Sequence, residues 1–68
     1  MGQELKQVGA KLRATRETKG MSQGTLAKKA GAAREHLLRL EDGRHDPAVS
    51  TLIRIAKAVA VPVTELLK

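Results

Sequence analysis

The chain has 68 residues, a formal net charge of +6, and neither a cysteine nor an aromatic side chain. A chain of this length makes one small domain and buries only about 60% of its unfolded surface. Without cysteine there is no disulfide framework and no thiolate metal site, and without aromatics the base-stacking platforms of single-strand binders are excluded.

No apolar run approaches the ~20 residues of a membrane span, and the first residues lack a signal-peptide pattern. A cytoplasmic protein without a membrane partner is therefore expected. The charge is uneven. Residues 1–34 hold eight Lys and Arg against Glu4 and Glu17, whereas residues 35–68 hold five of each sign. Such asymmetry points to a polyanion partner, most often nucleic acid.

Leu5, Val8 and Leu12 recur at helical spacing and predict a first helix over about residues 4–19. Gly20 stands where a left-handed cap is needed, and Met21 can fold back onto the last turn. Ser22 is a good N-cap for a second helix, "QGTLAKKA", whose inner face is Leu26, Ala27 and Ala30. Thr25 leaves its capping box incomplete, and Gly24 costs up to about 1 kcal/mol in propensity. Gly31 ends it.

The third helix lies within "GAAREHLLRLEDG", residues 31–43. At 100° per residue, Ala33, Leu37 and Leu40 fall on a core face. Glu35, Leu38, Arg39 and Asp42 centre on the opposite side, flanked by Arg34 and His36. "RHDP" is a loop, and Pro47 leads into a fourth helix over about 49–60. Its apolar positions are Val49, Leu52, Ile53, Ile55, Ala56, Val59 and Ala60, a stripe wider than one small core requires. Val61-Pro62 breaks the chain before a short fifth helix carrying Val63, Leu66 and Leu67. No run alternates as a strand. The expected fold is an all-α, compact five-helix bundle, one domain over residues 1–68.

Helices two and three are joined by only about three residues, Gly31 to Ala33, which forces a sharp angle between them. Ala27 is small where the third helix passes, Gly31 can take positive φ, and Leu37 and Leu40 dock the helix from behind. Small at 27, glycine at 31 and apolar at 37 and 40 is the helix-turn-helix pattern, here spanning about 22–43.

From about Val8 to Leu67 the chain resembles the Cro and lambda-repressor-like helix-turn-helix family, also called the XRE family. The stretches that carry the resemblance are "LRATRETKGMSQGTLAKKAG", "LLRLEDGRHDP" and "LIRIAKAVAVPVTELL". It implies five helices, binding to operator DNA, usually as a dimer, and a third helix set in the major groove. It implies a partly buried ion pair between Arg16 and Glu41, structural rather than DNA-reading. It also implies that Gln23 holds a DNA phosphate at the second helix's N-terminus, where free N–H groups and the helix dipole favour an anion. The sequence departs from the family where Gly31-Ala32-Ala33 replaces the usual glycine, β-branched residue and Ser or Thr. Ala33 has no side chain with which to cap helix three, a loss of ~1 kcal/mol. Ala60 replaces a usual glycine, and Pro62 stands where a capping Ser is common.

Arg34, Glu35, His36 and Arg39 are the candidate base readers. Arginine bonds guanine O6 and N7 in bidentate fashion, and a carboxylate accepts from cytosine N4. The bland alternative for Arg39 is a solvated i,i+4 pair with Glu35. Leu38 is a candidate contact for a thymine methyl. Arg44, followed by His45 in the loop, is a candidate phosphate grip, which positions without specifying. Lys11, Arg13, Lys28 and Lys29 read as solvated or as contributors to the long-range field. Two histidines without a third ligand make no metal site, and no cofactor is expected. With no nucleophile–base constellation and no phosphate-binding glycine loop, an enzyme is not expected.

The expected function is sequence-specific binding of a double-stranded DNA operator by a transcriptional regulator, most simply a repressor. A homodimer is expected through the helix-four stripe with Val59, Val61, Val63 and Leu66 nearby. The alternative is a protein-interaction module, such as an antitoxin or a small regulator whose partner masks the DNA face.

Overall fold

The computed structural model describes residues 2–67. Five helices follow in order: α1 Gly2–Thr18, α2 Gln23–Ala30, α3 Arg34–Glu41, α4 Val49–Ala58 and α5 Val63–Leu67. No strand occurs among the described residues. The all-α, five-helix expectation is met. α2 packs against α3 and α4, α1 against α3 and α5, and α4 against α5.

Leucine supplies most of the core, as a chain without aromatics requires. Leu12, Leu26, Leu37, Leu40, Leu52, Ile55, Val59 and Leu66 are buried together with Ala27, Ala30 and Ala56, and Val8, Met21, Val61 and Val63 pack on their edge. α1 reaches α3 through Gly9. A Cβ there would collide with the carbonyl oxygen of Leu40 and stand 2.6 Å from that of Glu41. Only a bare backbone lets the two helices approach so closely.

The first four helices end in one way. After α1, the Met21 N–H donates to the Arg16 carbonyl and the Gly20 N–H to that of Glu17. The same nested pair recurs as Ala32 to Ala27 with Gly31 to Lys28, as Arg44 to Arg39 with Gly43 to Leu40, and as Val61 to Ala56 with Ala60 to Lys57. This is the Schellman closure, and its pivotal residue must be left-handed. Glycine fills that place three times, at Gly20, Gly31 and Gly43, but the fourth pivot is Ala60, with φ +58°.

Three expectations need correction. Helix four stops at Ala58 instead of running to residue 60, because Val59 and Ala60 turn into this closure. Ala33 is exposed instead of lying on the core face. It is the extended N-cap of α3, before the helical register begins, and as expected its side chain makes no capping bond. In the proposed helix-four contact surface, Val59 and Leu66 are core residues, 1% and 0% exposed, because α5 folds back onto α4 and closes over them. Val49, Ile53 and Leu67 are the exposed large apolar residues instead, at 70%, 39% and 56%.

Candidate nucleic-acid interface

The candidate interface is built around α3. Its inner side, Leu37 and Leu40, is buried with the core. Arg34, Glu35 and Arg39 are exposed on the other side, with His36 and Leu38 half-buried beside them. Glu35 and Arg39 form no ion pair among the described residues, so the solvated pair the spacing allows is not made. The base-reading candidates therefore share one outward face, with their charged ends free.

What holds α3 at its angle is a polar cluster. The Arg16 guanidinium donates from Nε to Glu41 Oε2 at 2.7 Å and from Nη2 to Glu41 Oε1 at 3.1 Å. Its Nη1 donates to the Met21 carbonyl at 2.8 Å. The two side chains are 9% and 1% exposed. Planar guanidinium against carboxylate in two parallel bonds is the geometry that makes a buried pair tolerable. Donating hydrogen bonds to Glu41 raises the Arg16 pKa above its ordinary value, outweighing the opposing effect of burial, and the nearby charges of Glu41 and Glu17 add to it. Because the folded-state value is the raised one, the contribution to stability is fully present below arginine's ordinary pKa and is lost only as pH rises above it.

Gln23 joins the same cluster. Its Nε2 donates to Glu41 Oε1 at 3.0 Å, so part of the amide faces inward. The contact fixes Gln23 at the first turn of α2. There Ser22 caps the helix, its Oγ accepting from the Thr25 N–H at 3.1 Å and donating to Thr25 Oγ1 at 2.9 Å. A cleft of about 500 Å³ opens here, lined by Arg13, Arg16, Ser22, Gln23, Gly24 and Arg34. The first turn of α2 and the start of α3 thus share one basic hollow. With the Arg16 charge taken up by Glu41, Arg34 and Arg13 are the cations left beside a helix N-terminus, an arrangement that suits an anion.

Arg13, which the sequence reads as solvated or as a contributor to the long-range field, is among the residues that line this cleft. It is exposed, and it stands 3.6 Å from Glu17 in an i,i+4 pair. The available signal is its place one turn before Arg16, on the same side of α1. At the far end of α3, Arg44 Nη2 lies 3.0 Å from Asp42 Oδ2, both exposed, while the Arg44 N–H is tied to the Arg39 carbonyl. The His45 ring meets the His36 ring edge-on, with centroids 4.7 Å apart, and so fastens the loop to α3. Gln23 and Arg34 are brought into one cleft. Arg39 and Arg44 are linked at the other end of α3.

Residues 7–67 match the family described as "Helix-turn-helix domain". The chain belongs to that family. This helix-turn-helix chain is 36% identical over 61 residues to an uncharacterised HTH-type transcriptional regulator, y4dJ, of Sinorhizobium fredii, covering 90% of this chain and 79% of that one. It is 34% identical over 59 residues to the immunity repressor protein of Bacillus phage phi105, covering 87% of this chain but 41% of the repressor. It superimposes on the crystal structure of the restriction-modification controller protein C.AhdI from Aeromonas hydrophila with a TM-score of 0.93 at 31% identity, covering 94% and 97% of the two chains. The Cro and lambda-repressor-like resemblance is borne out. This is a helix-turn-helix domain of the kind found in DNA-binding transcription regulators, and its relatives do not favour the alternative of a module for protein interaction alone. No helix among the described residues is long and apolar enough to cross a membrane.

Proposed function

We propose that the chain acts in the cytoplasm as a homodimeric repressor that reads a near-palindromic operator with α3 in the major groove. Arg34, Glu35, His36 and Arg39 contact base edges, and Leu38 borders a thymine methyl. Gln23 and Arg44 hold phosphates on either side, with Arg13 joining Gln23. The observation that carries this reading is the division of α3. Its buried side is locked by Leu37, Leu40 and the Arg16–Glu41 pair, while Arg34, Glu35 and Arg39 extend outward without ion-pair partners among the described residues.

The second N–H of the Gln23 amide remains available to donate to a phosphate while the first holds Glu41. The experiment selects bound duplexes from a random pool, then measures Arg39→Ala against the selected site and its single-base variants. The substitution should weaken binding by ~1–3 kcal/mol and relax preference at one base position. Equal weakening on every sequence makes Arg39 a phosphate contact instead, and a pool without a consensus sinks the proposal of sequence-specific reading.

A further inference from the structure

A second basic cleft lies at the other end of α2. It is an open depression of about 630 Å³ between the last turn of α2 and the second half of α4, lined by Lys28, Lys29, Ala30, Gly31, Arg54, Lys57 and Ala58. All four cationic side chains belong to exposed residues. None of them forms an ion pair among the described residues, and none belongs to α3 or to the loop that follows it. The floor, Ala30, Gly31 and Ala58, is small and leaves the space open.

The bland explanation is that Lys28, Lys29 and Lys57 complement helix dipoles, since each sits in a last turn. Magnitudes argue against it as the whole account. Two helix C-termini present about −0.5 charge each, against four full positive charges, so about +3 is left uncompensated. The carbonyls of Ala27, Lys28, Ala56 and Lys57 already accept backbone N–H groups in the closures that end α2 and α4. The lysines are not required to satisfy them.

We infer that this cleft binds a chain of closely spaced phosphates. Lysine ammoniums are compact point charges with three donors each, and the Arg54 guanidinium matches a phosphate with two parallel bonds. A run of phosphates places several charges within so small a volume, whereas a peptide of equal charge brings more bulk. The source is either a DNA backbone outside the groove that α3 reads or a free polyphosphate. The site stands on its own charges and does not depend on which bases α3 contacts.

The test titrates isotope-labelled protein with tripolyphosphate and, separately, with orthophosphate. Amides 28–31 and 54–58 should shift, with tripolyphosphate binding about tenfold tighter because it engages several cations at once. The Lys28→Gln/Arg54→Gln/Lys57→Gln variant, checked by its melting curve, should lose the response. The salt dependence of binding to a duplex of about 20 bp, two helical turns, separates the sources. A slope flattened in the variant by about 1 for each phosphate no longer held assigns the site to DNA backbone. An unchanged slope with the tripolyphosphate response intact in the wild type assigns it to free polyphosphate. Silence of those amides together with an unchanged slope overturns the inference, and so does poly-glutamate shifting them as strongly as tripolyphosphate. Failure of the operator reading shows separately, as loss of duplex selectivity in the wild type while the tripolyphosphate response persists.

Discussion

Ala60 holds a conformation that three glycines hold elsewhere in the same chain. A left-handed non-glycine residue costs roughly 1–2 kcal/mol, and nothing in the Schellman bonds requires its methyl group. Ala60→Gly should therefore stabilise the domain by about 1 kcal/mol, after allowing for glycine's greater freedom when unfolded, and raise the melting temperature by about 4–8 °C. A lowered melting temperature would contradict this account of the turn. Arg16 and Glu41 behave differently, because each is buried only on condition of the other. Arg16→Met alone should cost about 3–5 kcal/mol by stranding the carboxylate, whereas Arg16→Met with Glu41→Leu should lie nearer the wild type. Strictly additive losses in urea denaturation would show that the pair is not coupled. The Arg–Glu assignment follows from the family resemblance. The third member, Gln23, is not legible, because it meets Glu41 across 18 residues of chain and only the packed fold brings them together.

At the scale of elements, the helices are legible wherever their ends are written in glycine. Gly20, Gly31 and Gly43 announce the ends of α1, α2 and α3, whereas the end of α4 carries no such letter and apolar periodicity runs two residues past it. Ala33 leaves the core face because helical periodicity does not hold for a residue that precedes the helix. Gly9 is hidden for a complementary reason. Within a helix it looks only like a weak propensity, and the approach of α3 that demands it is tertiary. Gly9→Ala discriminates the two views by sign. Propensity alone predicts a gain of up to about 1 kcal/mol. The backbone oxygens of Leu40 and Glu41 leave no room for the methyl group, so a loss of about 1–3 kcal/mol is expected on thermal or urea unfolding. Because Gly9 faces the last residues of α3, the same substitution should also tilt α3 and weaken the operator binding proposed for it.

For the molecule as a whole, the proposed dimer depends on which apolar residues remain outside. Val49 and Ile53 share one face of α4, and Leu67 lies on α5, which packs against α4. The stripe read from the sequence includes Val49 and Ile53 but does not separate them from residues such as Val59 that the fold buries, since no pattern in the chain shows how far α5 covers α4. Ile53→Asp should leave each subunit folded and yield one chain per duplex in sedimentation, where the wild type yields two about 34 Å apart on a near-palindrome. A wild type that sediments as a strict monomer even with its operator removes the dimer from the proposal.

The way α3 is attached has a consequence for how such a protein changes its target over generations. Leu37, Leu40 and Glu41 secure the helix, while Arg34, Glu35 and Arg39 point away from every contact that keeps the domain folded. Substitutions at exposed positions of this kind usually alter stability by less than about 0.5 kcal/mol. If these three residues read the operator as proposed, preference for a new DNA sequence can be acquired there with little risk of unfolding, while the scaffold stands still.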